Sequence, residues 1–208
     1  MAQVSLKPLM STYYGRGLTA AESDARTVAL YERHEDPWNL VTEDYRFAET
    51  NRLIAARFQR IGRLLEIGAG EGHQTRWLTQ VADHVTGVDL APAALERARQ
   101  KAPEATFAEA RLPALTLPAG VEPFDLAVAC EVLYFADDIG QAVQRMRQLA
   151  PRGLVSGLES KWRRFAPAVA GLPGLQVDRI VEADTVWLVA TWNETTLPTP
   201  TPPATDGG

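Results

Sequence analysis

The stretch Leu64–His73, "LLEIGAGEGH", decides the fold class of this 208-residue chain. A short apolar run ends at three glycines, each separated by one residue, and a helical stretch follows. A glycine loop at the end of a buried strand lets the backbone approach a nucleotide closely. The stretch therefore predicts a nucleotide-binding α/β domain. The spacing of its glycines indicates which kind of nucleotide binds.

Strands and helices alternate outward from this loop. We predict strands at 63–68, 84–90, 105–110 and 153–159, and a segment at 124–135 that starts as a buried strand, with helices at 73–82, 91–102 and 139–150 between them. This alternation predicts right-handed βαβ units and a parallel sheet. Two apolar runs within 175–192, separated by only two or three residues, predict an antiparallel hairpin. The expected fold is α/β: a Rossmann-like doubly wound sheet, mostly parallel, with a C-terminal antiparallel β-hairpin and additional N-terminal helices.

The N-terminal part carries two helical patterns. Thr19 and Glu22 have the spacing of a capping box, which begins a helix over 20–33. Thr42 is expected to cap a second helix that runs to about residue 60. The predicted division is a flexible N-terminus or lid at 1–18, helices at 19–62, the sheet domain at 63–192 and a disordered Pro/Thr-rich tail at 193–208.

Composition and charge exclude several classes of function. The formal net charge is −5 and no Lys/Arg-rich run occurs, so we expect binding to neither nucleic acid nor an anionic membrane. Cys130 is the only cysteine, which excludes an intrachain disulfide. No secretory signal and no apolar run of roughly 20 residues is found, which predicts a cytoplasmic protein. No residues have metal-ligand spacing, so no metal is predicted.

The glycine spacing distinguishes among nucleotides. A dinucleotide fingerprint would require a third glycine at position 73, where His73 stands, and the Gly-Lys-Ser/Thr of a P-loop is absent. The pattern Glu66-x-Gly68-x-Gly70-x-Gly72 instead resembles the first motif of class I S-adenosylmethionine (SAM) methyltransferases. This resemblance implies SAM as the cofactor and S-adenosylhomocysteine (SAH) as the product.

The resemblance assigns the methionyl part of SAM to the glycine loop. SAM carries an amino group, a carboxylate and a sulfonium, but no pyrophosphate. Glu66 would order the loop or face the amino group through water, while His73, Thr75 and the amides at the helix start would receive the carboxylate. Cys130, at the end of the fourth strand, would lie beneath the sulfonium. The backbone that passes close to the cofactor would comprise Gly68, Ala69, Gly70 and Gly72.

The nucleoside part would lie at the ends of the second and third strands. Asp89, 17 residues after the last loop glycine, would accept hydrogen bonds from both ribose hydroxyls. Leu90 would pack on the adenine. The third strand usually ends in an acidic residue near the adenine amino group, and here it ends in Glu109, Ala110 and Arg111. If Ala110 holds that position, backbone amides would bind the adenine; Glu109 is the alternative.

A closer resemblance is carried by the N-terminal segment "LYERHEDPWNLVTEDYRFAETNRL" and by "APAALERAR", "FAEARLP" and "FDLAVACEVLYF". From about Tyr31 to Trp162 the chain resembles the nodulation-factor N-methyltransferase (NodS-like) family. That family methylates the amino group of a glucosamine unit in a chitooligosaccharide. The resemblance implies that Trp38 covers the bound SAM; alternatively, Trp38 anchors the N-terminal helices to the sheet.

Methyl transfer is an in-line displacement in which the enzyme aligns the acceptor and excludes water. An amine acceptor needs no strong base, whereas a hydroxyl acceptor does. Glu131 could orient an amine or merely order a loop, and Tyr134 stands close to it in sequence. Tyr13 and Tyr14 could close as a lid or simply pack a loose N-terminus. His34 is the candidate base for a hydroxyl acceptor.

The sequence thus favours N-methylation of an amino group on a small, sugar-like acceptor by a monomer or homodimer. Two alternatives stay open: O-methylation of a small-molecule hydroxyl, and a non-catalytic methyltransferase-like module that stabilises a partner enzyme.

Overall fold

The computed structural model describes residues 19–112, 114–115 and 123–194. Within them the strands form one sheet in the order β3-β2-β1-β4-β5-β7-β6. Strands β1 to β5 pair in parallel, and β7 pairs antiparallel with both β5 and β6. The predicted α/β sheet with its C-terminal antiparallel hairpin is confirmed. The strands are β1 (Arg63–Ile67), β2 (His84–Asp89), β3 (Thr106–Glu109), β4 (Leu126–Cys130), β5 (Arg152–Leu158), β6 (Gln176–Glu182) and β7 (Thr185–Asn193).

The helices of the described residues surround this sheet. The predicted capping box is present, because the Thr19 amide and hydroxyl both donate to the Glu22 carboxylate at 2.8 Å, and the Glu22 amide donates back to the Thr19 hydroxyl. The helices are α1 (Ala20–Arg33), α2 (Asp44–Arg57), α3 (Thr75–Leu78), α4 (Pro92–Lys101), α5 (Ile139–Leu149) and α6 (Ala166–Val169). Short 3₁₀ turns occupy Leu40–Thr42, Leu133–Phe135 and Glu159–Arg164.

Two predicted helix boundaries were wrong. Thr42 does not cap α2, because its hydroxyl donates to the Asn39 carbonyl at 2.9 Å and closes the preceding 3₁₀ turn. The helix after the glycine loop covers only Thr75–Leu78 rather than 73–82, because tighter i→i−3 bonds flank it, such as the one from the Gln80 amide to the Trp77 carbonyl.

Both faces of the sheet are buried, which explains the continuous apolar runs of its strands. Successive side chains of a strand point to opposite faces. Leu64 therefore packs in one cluster with Ile54 of α2, while Leu65 packs in another with Met146 of α5. Glu66 lies on the same face as Leu64, toward α2.

The strand order reverses beside β1, which lies between β2 and β4. In open parallel sheets such a reversal opens a crevice at the carboxyl ends of the strands, where ligands bind. Glu66 is in register with Gly87 of β2 and Val128 of β4, so the glycine loop leaves the sheet at this crevice. Sheet order therefore positions the candidate site.

The sheet domain ends slightly later than predicted. Strand β7 includes Asn193, whose amide donates to the Pro173 carbonyl at 3.1 Å, and Glu194 pairs with Arg147. The expected tail from 193 therefore begins no earlier than 195, and residues 195–208 lie outside the described residues. The same holds for residues 1–18, including Tyr13 and Tyr14. None of the described helices is long and apolar enough to cross a membrane.

Candidate active site

The glycine loop requires glycine for its backbone angles and for space. Gly68, Gly70 and Gly72 have φ values of +74°, +52° and +77°, in the left-handed region that side chains disfavour. A Cβ at Gly68 would lie 2.3 Å from Cγ2 of Val132, and one at Gly72 would lie 3.1 Å from Cα of Ala98. The loop therefore runs in close contact with the segment after β4 and with α4.

Asp89 shapes this loop directly. Its Oδ2 accepts a hydrogen bond from the Gly70 amide at 2.9 Å, and its Oδ1 accepts one from the Ala91 amide at 3.0 Å. Burial raises the pKa of Asp89, although the amide hydrogen bonds oppose that shift. Each carboxylate oxygen has a second lone pair, so ribose hydroxyls can still donate to Asp89.

Glu66 is buried at the end of β1 and accepts a hydrogen bond from the Thr75 hydroxyl at 2.6 Å. Burial raises the pKa of Glu66 to about 8, despite that hydrogen bond. The side chain is therefore mainly protonated at neutral pH and offers an O–H donor. The Thr75 hydroxyl donates its only proton to Glu66. It therefore has no proton left to donate to the methionyl carboxylate that the sequence assigned to it.

His73 does not have the environment that the sequence predicted. Its Nε2 lies 2.6 Å from Nζ of Lys101, and 3.7 Å from Oδ1 of Asp36 and Oε2 of Glu71. The lysine ammonium can only donate, so this imidazole nitrogen acts as the acceptor. An acceptor nitrogen cannot bind a carboxylate. His73 instead belongs to what we call the Glu71 cluster: Asp36, Glu71, His73, Arg97 and Lys101.

The Glu71 cluster joins the N-terminal segment to the glycine loop. Oε1 of Glu71 accepts from the Asp36 amide at 2.9 Å and from Nε of Arg97 at 2.8 Å. Nη2 of Arg97 donates to the Tyr31 carbonyl at 2.6 Å and to the His34 carbonyl at 3.2 Å. Burial alone would raise the pKa of Glu71, but its hydrogen bonds and the neighbouring cations hold it below the ordinary value. Sequence reasoning missed this cluster.

Trp38 is held above the loop by Tyr31. Its Nε1 donates to the Tyr31 hydroxyl at 2.7 Å, and its ring centroid lies 6.1 Å from that of Phe135. A Cβ added to Gly70 would lie only 2.8 Å from the hydroxyl oxygen of Tyr31. Trp38 is thus half-buried between the N-terminal segment and the loop, a place compatible with both of its predicted roles.

The expected adenine end is built differently from the prediction. Leu90 is half-buried beside Tyr31, as a side chain that packs on adenine would be. The Ala110 amide, however, donates to the Asp89 carbonyl at 3.0 Å, so it is used within the sheet. Glu109 is exposed at the end of β3, in register with Asp89.

Arg111 is engaged in ion pairs with other side chains of the protein. Its Nε lies 2.8 Å from Oδ2 of Asp24 in α1, and its Nη2 lies 3.3 Å from Oδ2 of Asp137. These ion pairs link α1 to the segment that follows β4. Arg111 therefore holds together the outer wall of the crevice.

Glu131 follows β4 with a strained backbone. Its φ of +57° lies in the left-handed region, which is uncommon for a residue other than glycine and often marks functional positions. Its Oε2 accepts from the Tyr134 hydroxyl at 2.7 Å, and its Oε1 accepts from the Ser156 hydroxyl at 3.3 Å. Burial raises the pKa of Glu131, while the positive charge of Arg46 and the two hydroxyl donors oppose that shift.

Tyr134 positions Glu131 rather than acting as a base. Its hydroxyl donates to Glu131 and also accepts from the Leu158 amide. Burial and the negative charge of Glu131 raise the pKa of Tyr134, so its proton stays in place. His34 is exposed at the end of α1 and contributes only its carbonyl to the Glu71 cluster.

Cys130 ends β4 on the face toward α2, where Nε2 of Gln74 donates to its Sγ at 3.4 Å. Burial raises the pKa of the Cys130 thiol to about 11, so it is neutral and unreactive at physiological pH. Among the described residues, no group of three or more His, Cys, Asp or Glu side chains could hold a metal ion.

Arg46 is a further buried residue that the sequence analysis missed. It lies in the first turn of α2, and its Nε donates to Oε2 of Glu43 at 2.9 Å. Its guanidinium carbon lies 4.7 Å from the ring centroid of Phe47 and 5.9 Å from that of Trp187. Its Nη1 is buried and has no hydrogen-bond partner in the part of the chain that the structure describes.

Comparisons with known proteins agree with this geometry. Residues 65–156 match the family model described as a methyltransferase domain. Nodulation protein S of Bradyrhizobium diazoefficiens is 30% identical over 118 residues, which cover 55% of this chain and 56% of that protein. The crystal structure of the N-methyltransferase NodS from Bradyrhizobium japonicum WM9 in complex with SAH has a TM-score of 0.66 at 23% identity, covering 82% of this chain and 99% of that chain. Residues 65–156 are thus similar to a methyltransferase domain, and the fold of the chain is similar to that of NodS.

An O-methyltransferase is also among the relatives of this chain. Malonyl-[acyl-carrier protein] O-methyltransferase of Halorhodospira halophila is 36% identical over 99 residues, which cover 45% of this chain and 33% of that protein. The alignment with Nodulation protein S likewise spans little more than half of that relative's length. The comparisons therefore indicate a methyltransferase domain within 65–156, but they leave the acceptor open.

The residues that line the crevice fit SAM. Asp89 has lone pairs for ribose hydroxyls, and Leu90 and Trp38 offer apolar and aromatic surface. The aromatic ring of Trp38 is also suited to lie near a sulfonium cation. The orphaned Nη1 of Arg46 provides a buried donor for an anionic group.

Proposed function

We propose that this methyltransferase transfers the methyl group of SAM to an amino group of a small, sugar-like molecule. The single observation that carries the proposal is the arrangement of Glu131, a half-buried carboxylate fixed at the end of β4 by two hydroxyl donors. An ionised carboxylate is acceptor-only, and its remaining lone pairs suit an N–H donor. SAM, when bound, supplies an electrophilic methyl group on a sulfonium.

Residues of the chain would bind the nucleoside, exclude water and accept a proton. Asp89 and the glycine loop would hold the nucleoside, while Trp38 and Phe135 would exclude water from the reacting groups. Glu131 would orient the amine through its N–H group and accept the proton that the amine loses after methylation. Burial raises the pKa of Glu131 above its ordinary value, which makes its carboxylate a stronger base for this step.

The class of acceptor is supported by the relatives. The N-methyltransferase NodS is among the similar solved structures. The resemblance of the sequence to the NodS-like family implies an amino group of a glucosamine unit as the acceptor. The aromatic rings of Trp38 and Phe135, whose centroids are 6.1 Å apart, offer flat apolar surfaces of the kind that sugar rings contact.

O-methylation is the second candidate, favoured by the O-methyltransferase among the relatives. A hydroxyl acceptor needs a general base. His34, the candidate named for that role, is exposed, and Tyr134 beside Glu131 keeps its proton. Among the described residues Glu131 is the group best placed to act as base, and its role with an amine is the less demanding one.

An acceptor panel tests the proposal. The enzyme would be incubated with methyl-labelled SAM and either a chitooligosaccharide with one free amino group or its fully N-acetylated counterpart. We expect label on the free amine only, with a rate that rises as the amine loses its proton. Replacing the amine with one of lower pKa should move the profile to lower pH by the same amount. Label on the N-acetylated compound would favour O-methylation instead.

A further inference from the structure

Two exposed cations share one side of the 3₁₀ turn that follows β5. This turn, Glu159–Arg164, carries Lys161, Arg163 and Arg164, and all three side chains are exposed. Side chains three residues apart in a 3₁₀-helix lie one above the other, so Lys161 and Arg164 stand on the same side. That side bears two positive charges, although the whole chain has a formal net charge of −5.

This side of the turn faces the acceptor end of the crevice. Nη2 of Arg164 donates to the Tyr134 carbonyl at 3.3 Å. The hydroxyl of the same tyrosine donates to Glu131 at 2.7 Å and accepts from the Leu158 amide, at the end of β5. Only Tyr134 therefore separates the cations from the carboxylate that we assign to the acceptor amine.

Aromatic rings connect the turn to the other side of the crevice. Trp162 stacks on Phe165 with ring centroids 5.6 Å apart, and Phe165 meets the edge of Tyr134 at 5.0 Å. Tyr134 lies 6.4 Å from Phe135, which in turn lies 6.1 Å from Trp38. A sugar whose amine contacts the carboxylate after β4 can extend along this row of rings to the cations.

The acidic side chains in and beside the two 3₁₀ turns have other partners. Glu159 pairs with Arg179 of β6 at 3.1 Å, and Asp137 lies 3.3 Å from Arg111. Asp138 caps helix α5. Among the residues that the structure describes, neither of the two cations forms an ion pair. An anion from outside the chain is therefore the natural counter-charge for them.

We propose that Lys161 and Arg164 bind a phosphate group carried by the amino sugar that is methylated. The inference rests on the proposed function and names its acceptor class, a phosphorylated amino sugar. An ammonium and a guanidinium on one side of a turn both donate N–H groups to phosphate oxygens, and such charge-assisted hydrogen bonds are strong. Trp162, half-buried beside the cations, offers an apolar face to the sugar ring. A neutral amino sugar would still be methylated, but it would bind more weakly.

Steady-state kinetics with neutral and phosphorylated acceptors test the inference. Glucosamine, glucosamine 1-phosphate and glucosamine 6-phosphate would be compared at saturating methyl-labelled SAM. We expect at least one of the two phosphates to have a KM about tenfold below that of glucosamine. Lys161→Gln and Arg164→Gln should each raise this KM by about 5- to 20-fold, between the effects of losing an exposed ion pair and a charged hydrogen bond. The KM for glucosamine and kcat for both acceptors should stay within about twofold of wild type.

Added salt and two further variants separate charge from structure. Sodium chloride should raise the KM for the phosphorylated acceptor in wild type and have much less effect in the double variant. Lys161→Arg keeps the charge and should stay within about threefold of wild type. Arg60→Gln is the matched control, because Arg60 is exposed and pairs with Asp83 at 2.7 Å just before β1, at the opposite end of the strands. It should leave every KM unchanged.

Two results would overturn the inference and leave N-methylation intact. One is an equal KM for glucosamine and both phosphates in wild type. The other is an effect of Lys161→Gln and Arg164→Gln that is the same for neutral and phosphorylated acceptors. If no amine acceptor is methylated, including the chitooligosaccharide with a free amino group, the proposed function fails and the inference fails with it.

Discussion

The two ends of the crevice are built in different ways. At the cofactor end, one continuous stretch of backbone from Gly68 to Gly72 forms the loop, and Asp89 fixes it through amide hydrogen bonds. At the acceptor end, side chains of separate segments meet: Glu131, after β4, accepts hydrogen bonds from Ser156 of β5 and from Tyr134 of the 3₁₀ turn at Leu133–Phe135. The cofactor end depends on backbone angles that only glycine adopts readily, whereas the acceptor end depends on the packing of three separate elements.

The largest expected effect comes from breaking the backbone of the cofactor end. Gly68→Ala adds a Cβ 2.3 Å from Val132 at a φ of +74°, which combines strain with overpacking. We expect a loss of about 2–6 kcal/mol in the free energy of unfolding. SAH binding should fall below detection in calorimetry, because the loop can no longer take this path.

Gly171→Ala separates strain from crowding. Gly171 has nearly the same φ, +76°, but nothing lies within 4 Å of its added Cβ. Gly171→Ala should lower the free energy of unfolding by roughly 1–2 kcal/mol, the strain of a left-handed backbone alone. It should leave the affinity for SAH unchanged. If Gly68→Ala behaved like Gly171→Ala in both measurements, contact with Val132 would not matter and the comparison would break.

The next effect tests the side chain that joins the loop to the ribose. Asp89→Asn removes the charge and places an amide donor opposite the amide of Gly70 or of Ala91. We expect SAH affinity to fall by about 100-fold, from the combined loss of two charge-assisted hydrogen bonds. 5′-Methylthioadenosine, which keeps the ribose, should weaken equally in calorimetry. A loss confined to SAH would contradict contact with the ribose.

The raised pKa of Glu66 predicts that the free energy of unfolding falls as pH rises. Its pKa is about 8 in the folded protein and 4.5 in the ordinary unfolded state, so folded Glu66 keeps a proton that unfolding releases. Between these values the free energy of unfolding falls as pH rises, by up to about 1.4 kcal/mol per pH unit. Glu66→Gln cannot titrate, so its stability relative to wild type should increase from pH 5 to pH 8 in urea unfolding. A pH-independent difference would show that Glu66 is ionised when folded.

The smallest effect concerns Glu71, whose pKa is shifted in the opposite direction. Glu71→Gln should lower the free energy of unfolding by about 1–3 kcal/mol at pH 7 through weaker contacts to Arg97 and Asp36. This difference should shrink as pH falls below the ordinary pKa of 4.5, because protonated Glu71 in wild type loses the same charge. SAH affinity should fall only several-fold, as the Trp38 segment loosens. An unchanged difference at low pH would contradict an ionised Glu71.

The sequence predicts the features that depend on local backbone chemistry. The capping box at Thr19, the glycine loop and the C-terminal hairpin each follow from residues close together in the chain. The contact between Glu71 and Arg97 joins residues 26 apart, and its formation depends on how α4 packs against the loop. The position of Glu71, a charged residue between two loop glycines, is the only signal in the sequence that could have indicated this contact.

The contacts of other candidate residues depend on groups that are distant in sequence. Lys101 of α4 contacts His73 at 2.6 Å, and the Ala110 amide donates to the Asp89 carbonyl. Arg46 gives no signal in sequence, because a charged residue in the first turn of a helix usually faces solvent. Only the packing of α2 over the ends of β4 and β5 makes it a buried donor.

The most direct test of the division between the two ends compares wild type with Glu131→Gln in two measurements on one preparation: the dissociation constant for SAH and the rate of methyl transfer to the free amine. Glu159→Gln is the control, since Glu159 is exposed and pairs with Arg179 at 3.1 Å. We expect Glu131→Gln to bind SAH within about twofold of wild type and to transfer methyl about 10²- to 10⁴-fold more slowly, the range typical of a general base. Loss of SAH binding, or transfer at the wild-type rate, would contradict the assignment of Glu131 to the acceptor.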